Sequence, residues 1–223
     1  NKAIHDGLGR LTTVAENPTG SCQSLTNTGS GGGAGLLTTY LYQARDLLSQ
    51  VTQGGQTRTF SYDSLGRLTS AANPESGATS YTYDSAGNLK SRSMSGRSVA
   101  MKYDLLHRLA RKTYTDASNT PEVTYCYDGS TAGVCSAAPT GAGKNLTGRL
   151  TMVNSTAARV KYGQYDGLGR VLSHEVDFGE PAYPFSYAYN DLMLKAETYP
   201  SGRVVNYAAD PAGRASGVSG TKT

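Results

Sequence analysis

The sequence predicts an all-β chain of tandem antiparallel β-hairpins joined in one continuous curved or spiralling sheet. Three observations predict it: a segment of about 20 residues recurs along the chain, its better copies hold an Asp followed three positions later by a Gly, and aromatic residues stand two apart just ahead of that Asp. A fixed repeat decides architecture before any single element does, because each unit buries its apolar face only against its neighbours. Helices are not expected. Gly, Ser, Thr, Asn and Asp interrupt every apolar stripe at helical spacing.

The repeat reads FSYDSLGRLTS from Phe60, YTYDSAGNLKS from Tyr81 and QYDGLGRVLS from Gln164, with shorter copies HDGLGRLTT from His5 and AADPAGRAS from Ala208. Poorer copies are YLYQARDLLS from Tyr40, MKYDLLHRLA from Met101, YCYDGS from Tyr125 and YAYNDLMLKA from Tyr187. With the Asp or its stand-in as marker, the units sit at positions 6, 43, 63, 84, 104, 128, 166, 190 and 210, so two gaps are nearly double. The reading is a single array over 1–223, of about nine hairpin units, with irregular insertions near 17–38 and 129–148. Each insertion either hides a decayed repeat or forms a loop on one face of the sheet.

Asp then Gly three positions on fits a three-residue hairpin loop, a type I turn followed by a glycine bulge. The structural turns are assigned to Asp6 with Gly9, Asp63 with Gly66, Asp84 with Gly87, Asp166 with Gly169, and Asp210 with Gly213. The carboxylate accepts from the turn backbone while the glycine takes positive φ without a Cβ clash. With Ser64 to Gly66 as the loop, Asp63 lies opposite Arg67 and Tyr62 opposite Leu68, pairs worth roughly 0.2–1 kcal/mol each. His107 and Asp46 stand at the glycine place and tolerate positive φ better than most residues. Around Asn190 the unit is one residue short, with Met193 near the glycine place, so a different turn is expected there. A second turn signal about ten residues after each Asp (Gly54 and Gly55, Asn73 to Gly77, Gly96, Pro200 to Gly202) sends the strands up and down.

Residues two apart on a strand share a face. An aromatic ladder is therefore assigned to Tyr40 and Tyr42, Phe60 and Tyr62, Tyr81 and Tyr83, Tyr103, Tyr125 and Tyr127, Tyr165, Tyr187 and Tyr189, and Tyr207, with Leu68, Leu89 and Leu109 on partner strands, and is read as the core. With 16 Tyr, 3 Phe and no Trp, the apolar bulk carries hydroxyls that need partners, which favours a broad, half-wet sheet. Cys126 and Cys135, nine positions apart, have the spacing for a small disulfide loop in an oxidising compartment; Cys22 is either free or paired outside the chain.

The combination YxYDxxGRL at this period resembles the YD repeat of the rearrangement-hotspot (Rhs) family, found also in bacterial toxin-complex shells, wall-associated proteins and animal teneurins. The resemblance covers nearly the whole chain outside the two insertions. It implies a long β-ribbon that spirals into a wall, which in some members encloses a toxic C-terminal domain and in others serves surface attachment. The segment that ends such shells and carries their self-cleaving aspartates is not recognisable, and ADPAGRASG near the C-terminus reads as another repeat. Autoproteolysis and toxicity are accordingly not carried over.

No catalytic, cofactor or metal site is expected. His5 takes a tyrosine place, His107 a turn place and His174 a strand place, while repeated Ser and Asp are turn formers first. GAGKN at 141–145 lacks phosphate-loop spacing, and each Asp turn offers calcium a single carboxylate beside Arg. The net charge of +4 is spread rather than clustered, so no nucleic-acid partner is expected; with no long apolar run, neither is membrane insertion. Repeats reaching Asp6 and Gly213 without polar caps imply partners at both edges: other copies of the chain, or the rest of a longer repeat chain. A start at Asn1 rather than Met leads to the expectation that a leader or a larger upstream region has been removed or left out. The first functional reading is thus a non-catalytic building block that continues end to end into an extracellular or cell-surface filament or tube. Its alternatives are a segment of a toxin-encapsulating shell and an adhesin whose exposed tyrosines bind glycans.

Overall fold

A computed structural model describes residues 2–16, 36–116, 119–179, 181–190 and 193–221. Among the described residues, eighteen strands form one antiparallel sheet in which each strand pairs with the next in the chain. Two compact units are distinguished, residues 1–100 with 115–117, and 101–114 with 118–223.

The first unit holds β1 (Lys2–His5), β2 (Leu11–Ala15), β3 (Leu37–Tyr42), β4 (Leu48–Gln53), β5 (Gln56–Tyr62), β6 (Leu68–Asn73), β7 (Gly77–Tyr83), β8 (Leu89–Met94) and the start of β9 (Arg97–Tyr103). Its register is set from both ends of each strand. At one end the Asp turns impose a bulge, so that Tyr62 faces Leu68 and Tyr83 faces Leu89. At the other, Gln53 faces Gln56 across Gly54 and Gly55, and Met94 faces Arg97 across Ser95 and Gly96. All four of these loop residues have positive φ, the two-residue turn whose twist matches the flanking strands. The insertion after β2 leaves its arms in register, with Ala15 opposite Leu37; Cys22 and the glycine tract lie outside the described residues.

The second unit continues with the end of β9, β10 (Leu109–Thr115), β11 (Val123–Tyr127), β12 (Leu150–Asn154), β13 (Arg159–Tyr165), β14 (Val171–Asp177), β15 (Tyr183–Asn190), β16 (Met193–Thr198), β17 (Val204–Ala209) and β18 (Ala215–Thr221). Asn190 faces Met193; the turn expected between them, at 191–192, lies outside the described residues. The insertion near 129–148 is not a decayed repeat but a loop that packs on the sheet. It is an expanded hairpin turn. Asp128 N–H donates to the Arg149 carbonyl at 3.0 Å and Tyr127 faces Leu150, the same relations that Asp63 has to Arg67 and Tyr62 to Leu68.

Burial is thin, as expected of a one-layer sheet. Among the assigned ladder aromatics only Tyr165 is buried; the others are half-buried. The closed packing gathers elsewhere, around Cys126, Ala138 and Met152, where the expanded turn folds back onto β11 and β12. Among the described residues, no helix is long and apolar enough to cross a membrane.

Candidate functional site

The unit that recurs is a hairpin tip wired to the next hairpin. In each of the turns at Asp6, Asp63, Asp84, Asp104, Asp166 and Asp210, one carboxylate oxygen accepts two backbone N–H groups, from the residues two and four positions on, at 2.8–3.0 Å. The other oxygen accepts Nε of the following arginine, for example Arg67 at 2.7 Å and Arg170 at 2.6 Å; at Asp84 the partner is Nδ2 of Asn88 at 3.0 Å. Gly9, Gly66, Gly87, Gly169 and Gly213 donate back to their Asp carbonyls at 2.9–3.1 Å. Their φ values of 76–89° lie where a Cβ is strained. His107 occupies the glycine place at φ 60° and makes the same bond to Asp104.

The carboxylate shifts follow from these bonds. Asp6 is held below the ordinary value of 3.8 chiefly by the Arg10 side chain, and Asp63 and Asp210 chiefly by the backbone N–H of Arg67 and Arg214. At Asp104 and Asp166 burial alone pushes upward, but the backbone and side-chain bonds from Arg108 and Arg170 outweigh it. Between 3.8 and the lower folded values the unfolded chain takes up protons that the folded chain refuses. Stability is therefore fully supported above pH 3.8 and falls as the pH drops below it. Urea midpoints followed from about pH 5 to about pH 2 should decline with a steepening slope, and a flat profile would exclude this role for the carboxylates.

Four arginines fixed by their aspartates lie over a tyrosine of the following repeat: Arg10 over Tyr42 (5.0 Å to the ring centre), Arg67 over Tyr83 (4.6 Å), Arg108 over Tyr127 (4.3 Å) and Arg170 over Tyr189 (4.4 Å); Arg149 lies likewise over Tyr165 (5.7 Å), while the Asp128 carboxylate is bonded to Arg108. Four of these tyrosines reach back with their hydroxyls. Tyr42 donates to the Leu11 carbonyl, Tyr83 to Leu68, Tyr127 to Leu109 and Tyr165 to Leu150, at 2.5–3.0 Å. Each acceptor is the residue directly after the stacking arginine. At these rungs arginine and tyrosine alternate, and four of the hydroxyls that need partners find them on the neighbouring strand. Leu47 and Asn88 stand at the arginine place before Tyr62 and Tyr103, where Tyr62 still donates to the Leu48 carbonyl at 2.8 Å. Tyr40, Phe60, Tyr81, Tyr125 and Tyr207 lie half-buried on their strands; Lys112 approaches the Tyr125 ring at 5.9 Å.

A Cβ added at Gly9 meets nothing within 4 Å, whereas one added at Gly169 falls inside the Arg149 guanidinium. Gly9→Ala should cost only the positive-φ strain, about 1–2 kcal/mol. Gly169→Ala should cost about 0.5–1 kcal/mol more, because Arg149 is driven off Tyr165. Equal losses in chemical denaturation would show that the stacking carries no energy.

Cys126 and Cys135 are joined by a disulfide with Cα atoms 5.7 Å apart. Lys144 and Asn145 of the GAGKN stretch engage β13: the Tyr165 N–H donates to the Lys144 carbonyl, and Asn145 Nδ2 donates to the Tyr165 carbonyl, both at 3.0 Å. His174 stacks on Phe185 and Tyr187, with the Tyr187 hydroxyl 3.2 Å from Nδ1. His5 faces Leu11 at the tyrosine place.

With this geometry in view, the RHS repeat family model matches residues 44–78 and 62–95, spanning the turns at Asp63 and Asp84. Residues 44–95 of this chain are thus RHS repeats. A comparison with curated proteins gave no match. Among solved structures, the RHS-repeat fold is similar to TcdB2-TccC3-Cdc42 at 16% identity and a TM-score of 0.78, over 99% of this chain and 12% of that one. It is likewise similar to TcdB2-TccC3 without its hypervariable C-terminal region, at 16% identity and a TM-score of 0.77, again over 99% and 12% of the two chains. A third match is the Photorhabdus luminescens Tc holotoxin pore with a mutated TccC3, at 15% identity and a TM-score of 0.76, over 99% and 11%. At such identities the likeness is one of fold. The RHS-repeat chain spans about an eighth of the length of these structures.

Proposed function

We propose that this RHS-repeat chain is a stretch of wall in an Rhs-type shell, with a structural rather than catalytic role. The observation that carries the reading is the fold match to Tc-toxin structures over 99% of the chain. It favours the shell segment over the end-to-end filament, for which neither the fold nor the matches supply an argument. The repeat chemistry supports it as well. Several hairpins along the array are tied to the next by a carboxylate-held arginine and a tyrosine hydroxyl, as at Arg67 and Tyr83, so the strength of the array is distributed along it as a wall requires. The partners on this reading are further lengths of repeat sheet, and the compartment is extracellular or secreted, in keeping with the Cys126–Cys135 disulfide.

Electron microscopy of the purified chain over a range of concentrations tests the proposal. Discrete particles or short arcs of wall that do not lengthen with concentration are expected. Filaments growing without limit would overturn the shell reading in favour of the polymer.

A further inference from the structure

What recurs along the array serves the wall; a feature that occurs once and breaks the pattern needs a reason of its own. One such feature lies at the start of β15. Pairing of β14 with β15 runs out to Val176 with Tyr183, but pairing of β15 with β16 stops at Ser186 with Thr198. Beyond Thr198 the chain turns away through the Tyr199–Arg203 tip, where the Tyr199 N–H donates to the Arg203 carbonyl and the Gly202 N–H to the Tyr199 carbonyl, both at 2.9 Å. Tyr183, Pro184 and Phe185 are left with a strand on one side and an open groove on the other. Pro184, which has no N–H to pair, stands in the middle of that stretch.

The groove measures about 520 Å³ and is walled by Pro181, Tyr183, Pro184, Tyr199 and Pro200. That volume lies within the roughly 300–1,000 Å³ of small-molecule sites. Phe178, 70% exposed, packs edge-on against Tyr183, itself 44% exposed, so the open rings form a patch rather than scattered single side chains. Charge decides what the patch takes. The lining residues are Pro, Ala, Tyr and Ser, with no cation among them. Two positions before Tyr199, at the end of β16, the Glu197 carboxylate accepts the Tyr199 hydroxyl at 3.1 Å and the Tyr207 hydroxyl at 3.4 Å. Glu197 has no lysine or arginine partner among the described residues. Burial holds His174, which feels this carboxylate, below the ordinary histidine range, so it stays neutral at neutral pH. Arg203 lies over Gly220 of β18. A phenol that donates to a carboxylate is polarised by it, which deepens the negative potential on its ring face. Tyr199 thus turns toward the groove a ring backed by an uncompensated negative charge.

An anion is repelled by Glu197. A bare ammonium is strongly hydrated and would give up that water to walls that offer it few acceptors. A methylated ammonium sheds little hydration, fits an apolar groove and is drawn to ring faces. We infer that the groove binds a quaternary ammonium group, its methyls against Tyr183, Tyr199 and the flanking prolines and its charge toward the tyrosine that Glu197 polarises. The site is independent of the shell reading, since it uses one face of one stretch of sheet.

Isothermal titration calorimetry of the whole chain with choline, and with the uncharged tert-butyl isostere of choline, tests it. Saturable choline binding at millimolar concentration is expected, with the isostere at least about tenfold weaker. Tyr183→Leu should weaken choline about tenfold. Glu197→Gln should weaken it severalfold, since it keeps an acceptor for both tyrosine hydroxyls and removes only the charge. Sedimentation with phosphatidylcholine vesicles then separates the sources of the group: vesicle binding competed by choline assigns it to a lipid headgroup, and no vesicle binding assigns it to a free ammonium compound. Choline that fails to bind at tens of millimolar would overturn the inference. So would an isostere that binds as tightly, or choline binding that is indifferent to Tyr183→Leu or to Glu197→Gln in chains with an unchanged thermal melt. The isostere comparison needs no substitution, and it decides the matter even where a variant unfolds. None of these results bears on the particles seen by microscopy.

Discussion

Met152→Ala should destabilise the second unit by about 2–5 kcal/mol, the range for emptying a well-packed apolar site. Met152 is fully buried, the largest such side chain among the described residues, and packs with Cys126 and Ala138 where the expanded turn meets the sheet. Its neighbour Thr151, equally buried, spends its hydroxyl on the Cys126 carbonyl at 3.0 Å, which leaves the site little freedom to collapse. Met152→Leu, which nearly conserves volume, should cost less than about 1.5 kcal/mol. Chemical denaturation followed by tyrosine fluorescence distinguishes the two, and equal small losses would mean that the turn is not packed on the sheet as described.

Removal of the Cys126–Cys135 disulfide should cost roughly 2–4 kcal/mol. The bridge closes a loop of sequence separation nine and clips the expanded turn to β11. Without it the turn keeps the packing of Ala138 beside Met152 and the backbone and side-chain bonds at its far end, from Tyr165, Asn145 and Gly148. Cys126→Ala with Cys135→Ala measures the loss without adding buried polar atoms. Hydrogen exchange should then show faster opening of 129–148 and of Met152, with the hairpins around Asp63 and Asp84 unchanged. Uniform acceleration across both units would contradict a local clip.

The hairpin itself is legible in the residues. Asp63, Gly66 and the pairing of Tyr62 with Leu68 follow from loop length and the demand for positive φ, which are local matters. Contacts between one repeat and the next were harder to read. Recurrence shows that Arg67 and Tyr83 belong to successive units, but not that one lies on the other, since period alone does not reveal which recurring side chains touch. The second cue, that four of the five stacking arginines precede the leucine whose carbonyl the tyrosine seeks, emerges only with the strands in register. The expanded turn was obscured for a related reason. The twenty residues between Asp128 and Arg149 hide a pairing that elsewhere spans three, and neither flanking residue announces its partner. Tyr199 to Arg203 forms the same kind of tip without an aspartate, its Gly202 N–H donating to the Tyr199 carbonyl at 2.9 Å, so a search keyed on Asp passes it over.

The claim on which the wall rests is that each turn arginine couples its hairpin to the following one. A double-mutant cycle on Arg67 and Tyr83, using Arg67→Gln and Tyr83→Leu with Arg67 and Tyr42 as the separated control pair, measures that coupling without the individual costs. A coupling of about 0.5–1 kcal/mol for the stacked pair and none for the control is the expected outcome. Strict additivity at Arg67 and Tyr83 would contradict the account.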